Sequence, residues 1–319
     1  MFSKKVRSLF SHLAVSIYVY LHILLFSTST FAHKPVGICN IGNSCYLNSI
    51  IQALYANEHL KTVILTVPNP DPLTQPTIYL LQQIFQSLER KDTACINISH
   101  LVQNPGNGDI YNGLQQDASE TLQIILNTAF FEINNPAHPI NFIFNIELET
   151  TIHCPHCGQE TKKNETALTL PLPLSPRLST SLTNFLAPPA ISDYYCEFCW
   201  NYGVLSRINL TPSQTLILTL NRFEYKSGKM IKRNDKMEFP EELNICGHTY
   251  KLKCIIMHHG GYYSGHYYAF IKPLNSTTWF LCNDSSVRNV GSFNDIKQSC
   301  FGDGKSSLNA YILFFDLVL

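Results

Sequence analysis

An α+β fold follows from a change of hydrophobic period along the chain. Up to about residue 135 the apolar residues recur at helical spacing; beyond it they fall in short strand-length runs, and two Cys-x-x-Cys pairs lie within that second part. The 319 residues are 45% hydrophobic, enough for a large core. Only 14% are charged and 23 Lys+Arg balance 23 Asp+Glu, which excludes a basic nucleic-acid surface.

Residues 1–34 read as a separate segment. Lys4, Lys5 and Arg7 precede Leu9 to Ala32, a stretch with no Asp, Glu, Lys or Arg whose centre, Leu13 to Phe26, is mostly apolar. That suits a secretory signal with Thr30-Phe31-Ala32 before His33 as its cleavage site; an uncut membrane anchor is the other reading.

The first helix begins at Cys45, with Leu47, Ile50, Ile51 and Leu54 forming its apolar stripe. Cys45 thereby sits in the first turn, where unpaired N–H groups and the positive end of the helix dipole favour a thiolate. Asn40, in the polar loop before it, is placed to donate to the oxyanion formed when Cys45 attacks a carbonyl, beside the Cys45 N–H. Four prolines between Pro68 and Pro76 mark a loop. A second helix carries Leu81, Ile84, Phe85 and Leu88. After the stretch Asn104 to Gly113, a third carries Ala118, Leu122, Ile125 and Ala129, with Asp117 and Glu120 three apart on one face.

In the second half, Cys154 and Cys157 form one pair and Cys196 and Cys199 the other, a pattern that predicts one structural Zn2+ held by four thiolates, with paired disulfides the alternative. His153 and His156 are surplus to that shell. Eleven cysteines, less these four and Cys45, leave Cys39, Cys95, Cys246, Cys254, Cys282 and Cys300 without framework spacing, an argument for a reducing compartment. Strands are expected over Phe142 to Ile152, Thr215 to Tyr225, Tyr250 to Met257, Tyr267 to Lys272, Thr278 to Cys282 and Ala310 to Asp316, and Thr169 to Pro176 as an extended connection. His266 opens one of these strands after a Gly-rich loop and is the candidate base. Asn283 is the group expected to orient its imidazole, and Asp284 the alternative. Cys, a distant His, then Asn or Asp is the order of a papain-like thiol hydrolase.

With these residues in place the chain resembles the ubiquitin-specific protease family. Gly37 to Leu54 resembles the family's Cys box, Gln115-Gln116-Asp117-Ala118-Ser119-Glu120 its Gln-Gln-Asp-Ala-x-Glu segment, Leu216 to Tyr225 its Arg-Phe strand, Gly261 to Ile271 its His box, and Ala310 to Phe315 its closing strand. The resemblance runs from about Pro35 to Leu319. It implies a papain-like domain with a helical thumb over about 35–135, then β-sheet palm and zinc-ribbon fingers over about 136–319. It also implies hydrolysis of the peptide or isopeptide bond after the C-terminal glycine of ubiquitin, with ubiquitinated proteins as partners. Gln116, Asp117, Glu120, Gly265 and Tyr267 are then expected to contact the ubiquitin tail; another ubiquitin-like modifier is the alternative substrate, and a ubiquitin-binding module without turnover the alternative function, which an intact Cys45, His266 and Asn283 set disfavours. Ser44 stands where Thr is common, Asn283 where many members carry Asp, Asn221 for a frequent Lys and Phe315 for Tyr. A ubiquitin substrate conflicts with an N-terminal export signal. The conflict resolves if an intracellular bacterium or parasite exports the enzyme towards its host's cytosol, or if an anchor holds the domain facing the cytosol.

Overall fold

The computed structural model describes residues 34–103, 110–135, 138–188, 190–211 and 213–318. The signal and anchor readings fall on residues 1–33, outside the described ones. Among the described residues no helix is long and apolar enough to cross a membrane.

After the two-residue strand β1 (Gly37–Ile38), the helix α1 (Cys45–Ala56) runs through the centre of the molecule, and eleven of its twelve residues are buried. One buried face was expected. Instead α1 is enclosed on all sides, and its polar side chains donate internally: Gln52 Nε2 donates to the Val36 carbonyl at 2.7 Å and Ser49 Oγ to that of Tyr46 at 2.8 Å, while Gln52 Oε1 and Asn48 Oδ1 are buried without a partner among the described residues. Around it lie α2 (Glu58–Thr66), α3 (Pro76–Arg90), the strand β2 (Cys95–Ile96), α4 (Ser99–Val102) and α5 (Ala118–Ile133). Pro76 starts α3 at its first turn, and Leu81, Ile84, Phe85 and Leu88 are each 1% exposed or less. The stripe of α5, Ala118, Leu122, Ile125 and Ala129, is equally buried. The sequence reading missed α2. Its signal was an Asn57 cap before Leu60, Val63 and Ile64, and Asn57 Oδ1 does accept the Leu60 N–H at 2.8 Å. The same side chain donates to Thr215 Oγ1 at 2.6 Å and Asp316 Oδ1 at 3.0 Å, tying the helices to the sheet.

Phe142 to Phe144 is not strand: α6 (Ile140–Phe144) buries Ile140, Ile143 and Phe144 on one side, and β3 (Ile146–His153) starts only afterwards. Next come β4 (Glu160–Ala167), β5 (Leu170–Leu172), α7 (Leu178–Leu186), β6 (Ile191–Tyr195), β7 (Tyr202–Thr211) and β8 (Thr215–Leu220). The expected strand Thr215 to Tyr225 breaks at Asn221-Arg222. There the buried Arg222 guanidinium donates to the carbonyls of Ala310, Arg233 and Asp235, and a separate hairpin, β9 (Phe223–Lys226) and β10 (Lys229–Lys232), begins. The remainder is β11 (Glu242–Ile245), β12 (His248–Gly260), β13 (Gly265–Ile271), β14 (Trp279–Asn283), β15 (Ser286–Gly291), α8 (Phe293–Phe301) and β16 (Asn309–Leu317).

The main sheet has the order β15-β14-β13-β12-β16-β8-β5, with β11 on β12. All its pairings are antiparallel except β5 with β8. One face packs on α1 through Ile256, Ala269, Cys282 and Ile312; the other is closed by Trp279, Phe293 and Phe301. A second sheet, β4-β3-β7-β6, carries the two Cys-x-x-Cys turns at its end.

One cysteine pairing overturns the sequence reading. Cys39 and Cys95, 56 residues apart, form a disulfide, because the parallel pairing of β1 with β2 sets Gly37 opposite Cys95 and Ile38 opposite Ile96. A pairing made by two-residue strands leaves no recognisable spacing. The argument for a reducing compartment therefore loses two of its six unassigned thiols, while Cys246, Cys254, Cys282 and Cys300 are free.

Candidate active site

Between β1 and α1 the chain makes a tight loop. Gly42 (φ +101°) and Asn43 (φ +52°) are both left-handed, which explains the Gly-Asn dipeptide. Asn40 Oδ1 accepts the Gly42 N–H at 2.9 Å and the Ser44 hydroxyl at 3.3 Å, and Ser44 Oγ accepts the Ile41 N–H at 3.0 Å. Ser44 occupies the N-cap of α1, but its side chain is thus engaged backwards and makes no capping bond. The first-turn N–H groups remain free to act on Cys45 Sγ and on an oxyanion beside it.

His266 and Asn283 come from the neighbouring strands β13 and β14. The His266 Nε2–H donates to Asn283 Oδ1 at 2.7 Å, which leaves Nδ1 for Cys45. The imidazole is held basic, at about 9, chiefly by its hydrogen bond with Cys45; burial opposes the shift and Asn283 reinforces it. Asp284 is not the orienter. It stands at φ +50° in the turn between β14 and β15, which directs its carboxylate away from the ring: Oδ2 accepts Asn40 Nδ2 at 2.9 Å and Oδ1 accepts Asn48 Nδ2 at 2.7 Å. Its carbonyl accepts the Ile38 N–H at 2.9 Å. One of the two Asn40 amide hydrogens is so fixed, and the other is free to donate. Asn48, three residues after Cys45 and polar within a buried helix, is a site residue that the sequence reading passed over.

A nucleophilic thiol at an uncapped helix start, an imidazole oriented by an amide and a side-chain donor for an oxyanion can together perform acyl transfer through a thioester. A model of the ubiquitin carboxyl-terminal hydrolase family matches residues 36–315. The chain belongs to that family. Among its relatives are ubiquitin carboxyl-terminal hydrolase 26 of rice (26% identical over 81% of this chain and 26% of the relative) and ubiquitin carboxyl-terminal hydrolase 47 of Drosophila melanogaster (23%, 88% and 24%). Human Ubl carboxyl-terminal hydrolase 18 is 27% identical over 81% of this chain and 78% of its own length. The chain spans about a quarter of the length of the rice and fly relatives.

The residues expected to meet a hydrolase's substrate tail are less uniform. Asp117 is occupied: Oδ1 caps α5 through the N–H groups of Ser119 (2.7 Å) and Glu120 (3.1 Å), and the Tyr311 hydroxyl donates to Oδ2 at 2.8 Å. Tyr267 is only 7% exposed, its ring against those of His258 (4.5 Å) and Tyr311 (6.2 Å), so its side chain is core and not surface. Glu120 is exposed, and Gln116 Nε2 donates to Asn112 Oδ1 at 3.1 Å. Gly265 has a geometric reason to be glycine, since a Cβ there would strike the His258 ring. Gln115, quoted in the motif but given no role, clasps Gly265: the Gly265 N–H donates to Gln115 Oε1 at 3.2 Å and Gln115 Nε2 to the Gly265 carbonyl at 3.4 Å.

Far from this centre the sulfur atoms of Cys154, Cys157, Cys196 and Cys199 all lie within 4.8 Å of one another, a set able to hold a metal ion. Both turns repeat one backbone plan. The residue after the second Cys has positive φ (Gly158, +74°; Trp200, +62°), and the N–H of that residue donates to the carbonyl of the first Cys at 2.9 and 2.8 Å. His153 lies 3.6 Å from Glu160, and His156 Nε2 lies 3.2 Å from the Tyr202 carbonyl; neither is part of the set.

Because the bond to Cys45 is the largest influence on His266, Cys45→Ala should lower the His266 titration midpoint from about 9 towards the ordinary imidazole value of 6.5. The imidazolium stabilised by that bond is present at low pH and is lost as pH rises through about 9. Ring-nitrogen NMR across pH 5 to 10 checks this. An unchanged midpoint in Cys45→Ala would mean that the thiol does not face the ring.

Proposed function

We propose that the domain is a thiol-dependent deubiquitinase that hydrolyses the peptide or isopeptide bond after the C-terminal glycine of ubiquitin. The observation that carries this is the union of Cys45 on α1 with His266 and Asn283 on adjacent strands, beside the free Asn40 amide hydrogen. Cys45 attacks the glycine carbonyl. The Cys45 N–H and Asn40 Nδ2 receive the oxyanion, and the His266 imidazolium gives its proton to the departing lysine amine. The ring, now neutral, takes a proton from water, which opens the thioester and regenerates the thiolate. Exposed Glu120 supplies a carboxylate for the arginine of the tail, Gln116 a neighbouring amide, and the Gly265 backbone groups clasped by Gln115 a place for the extended tail to pair. Similarity to a human Ubl hydrolase over most of its length supports a ubiquitin-like modifier as the second reading.

A ubiquitin probe with an electrophilic C-terminus should form an adduct at Cys45. Hydrolysis should vanish in Cys45→Ala and in His266→Ala and fall less in Asn283→Ala, because an orienting group contributes less than the nucleophile and base themselves. An adduct with a related modifier but none with ubiquitin would move the substrate assignment and spare the chemistry. Wild-type turnover in Cys45→Ala would remove the mechanism.

We infer that the four-cysteine set holds structural zinc. The Cys154–Cys199 and Cys157–Cys196 sulfur separations are 3.6 and 3.8 Å. Tetrahedral zinc with Zn–S bonds of about 2.3 Å requires about 3.8 Å. One zinc per chain is expected by metal analysis, with unfolding of the β3–β7 region under strong chelation, since structural zinc binding is folding free energy. A folded, active preparation free of zinc would refute it.

We infer further that residues 1–34 direct export from an intracellular bacterium or parasite towards a host cytosol. By the positive-inside tendency Lys4, Lys5 and Arg7 stay behind while the domain crosses. N-terminal sequencing of the mature protein should find a start near His33. An intact Met1 in a membrane fraction would point to an anchor instead.

A further inference from the structure

We propose that the Cys39–Cys95 disulfide is a positioning element of the catalytic centre: it fixes the strand from which Asn40 reaches the oxyanion, so turnover depends on a pair that touches no reacting atom. The inference rests on the hydrolase reading above.

Toward α1 the β1 segment is held by Gln52 Nε2, which donates to the Val36 carbonyl, and by Asn48 Nδ2, which donates to those of Ile38 and Cys39; toward β2 little holds it besides the disulfide. β1 has two residues, and so has its partner β2. Toward β2 the segment keeps two flanking backbone bonds, Gly37 N–H to the Ala94 carbonyl (3.1 Å) and Cys39 N–H to that of Ile96 (2.8 Å). Lys91 to Ala94, which lead into β2, are exposed, and Cys95 and Ile96 are only partly buried. Two isolated two-residue strands, one buried and one only partly so, have little pairing stability of their own. The disulfide sits where they meet, with Cα atoms 5.9 Å apart, and makes that contact permanent.

On its other side β1 is pinned by Asp284, whose carbonyl takes the Ile38 N–H. The residue after Cys39 is Asn40, itself exposed and joined to Asp284 by a solvent-facing bond of 2.9 Å. Asn40 is therefore held by a covalent anchor one residue away, by a hydrogen bond open to water and by the local bonds of its Oδ1 to Gly42 and Ser44 in its own loop. Gly37 shows how little play the segment has, since a Cβ there would lie 2.7 Å from the Ser285 carbonyl carbon. Cleaving the disulfide frees the β2 side of this clamp while leaving Cys45, His266 and Asn283 on α1, β13 and β14.

The chemistry of opening is thiol exchange. One low-molecular-weight thiolate attacks a sulfur of the pair to give a mixed disulfide, and a second releases it. Cys39 and Cys95 gain two electrons and two protons as thiols, and the small thiol leaves as its oxidised dimer. An oxyanion donor acts in the transition state more than in the bound ground state, so the consequence belongs in kcat and not in KM.

The test uses the full chain, Cys45 being confirmed as an alkylatable thiol in each sample. Peptide mapping without reductant should show Cys39 joined to Cys95. Hydrolysis of a ubiquitin C-terminal coumarin amide at oxidising and reducing glutathione ratios should show kcat falling about tenfold on reduction while KM changes less than about twofold; removing a donor outright costs about a hundredfold or more. The Cys39→Ser/Cys95→Ser variant should reproduce the reduced value at both ratios. In an Asn40→Ala background opening the pair should cost nothing further, because the two act through one interaction. Should the double variant fold poorly, the reduced wild-type protein supplies the same comparison. Hydrogen exchange at Gly42 and Ser44, bonded to the Asn40 side chain, should quicken in the reduced protein. Unlinked cysteines, an unchanged kcat, a loss confined to KM, or a loss that persists in Asn40→Ala would each overturn the proposal. No hydrolysis in either state, with exchange still quickening on reduction, would refute the hydrolase reading and uphold the positioning role.

Discussion

The proposed catalytic centre is tied together by one carboxylate to which the proposed chemistry gives no part. Asp284 accepts from Asn40 with one oxygen and from Asn48 with the other, and its carbonyl accepts from Ile38, so a single residue at a β-turn binds the oxyanion loop, the nucleophile helix and β1. Hydrogen bonds to a carboxylate are stronger than those between neutral groups; two of the three end on the side chain and one on the backbone carbonyl, and all come from a stretch remote from Asp284 in sequence. Asn283, the residue before it, orients His266. The turn between β14 and β15 therefore sets base and oxyanion donor together, and neither can shift without the other.

That arrangement requires a rigid nucleophile helix, and rigidity comes from burial. With eleven of twelve residues buried, α1 is packed against helices on one side and against β12 and β13 on the other. Cys45 is 5% exposed, and its register relative to His266 is set by core packing through Tyr46, Leu47, Ile50 and Ile51, each at 1% or less. A flexible loop carrying the thiol would hold the same groups but lose the near-attack geometry on which the rate depends.

Much of this was legible in the sequence because it is local. The helix after Cys45, the α5 stripe and the two knuckles each announce themselves within about ten residues through a period or a spacing. The role of Asn283 was legible too, since an amide following a strand beside a His strand has few other uses. What was not legible depends on chain reversals. The turn that points Asp284 at Asn40 and Asn48 arises from a left-handed residue at the end of β14, and the Cys39–Cys95 bond arises from two minimal strands 56 residues apart. The cap made by Asp117 was not legible for a related reason: an acidic residue before a helix serves as a cap or as a ligand, and the bond from Tyr311 depends on where β16 falls. Phe142 to Phe144 was read as strand because a short apolar run does not reveal its period.

The placement of Asp284 raises an electrostatic difficulty, since it puts a negative charge near the point where an oxyanion develops. Three features offset it. Both Asp284 oxygens are engaged by amides, and Asn40 Oδ1 accepts from the Gly42 N–H and the Ser44 hydroxyl, which polarises the amide and strengthens its Nδ2 hydrogens as donors. The uncapped start of α1 contributes the partial positive charge of its free N–H groups. The His266 imidazolium, kept charged to about pH 9 chiefly by its bond with Cys45 and also by that with Asn283, adds a positive charge to the same centre. In the proposed reaction negative charge moves from the Cys45 sulfur to the carbonyl oxygen, towards the N–H groups of Cys45 and Asn40. Asp284 is tolerated beside that path because it is the group that aims Asn40 into it.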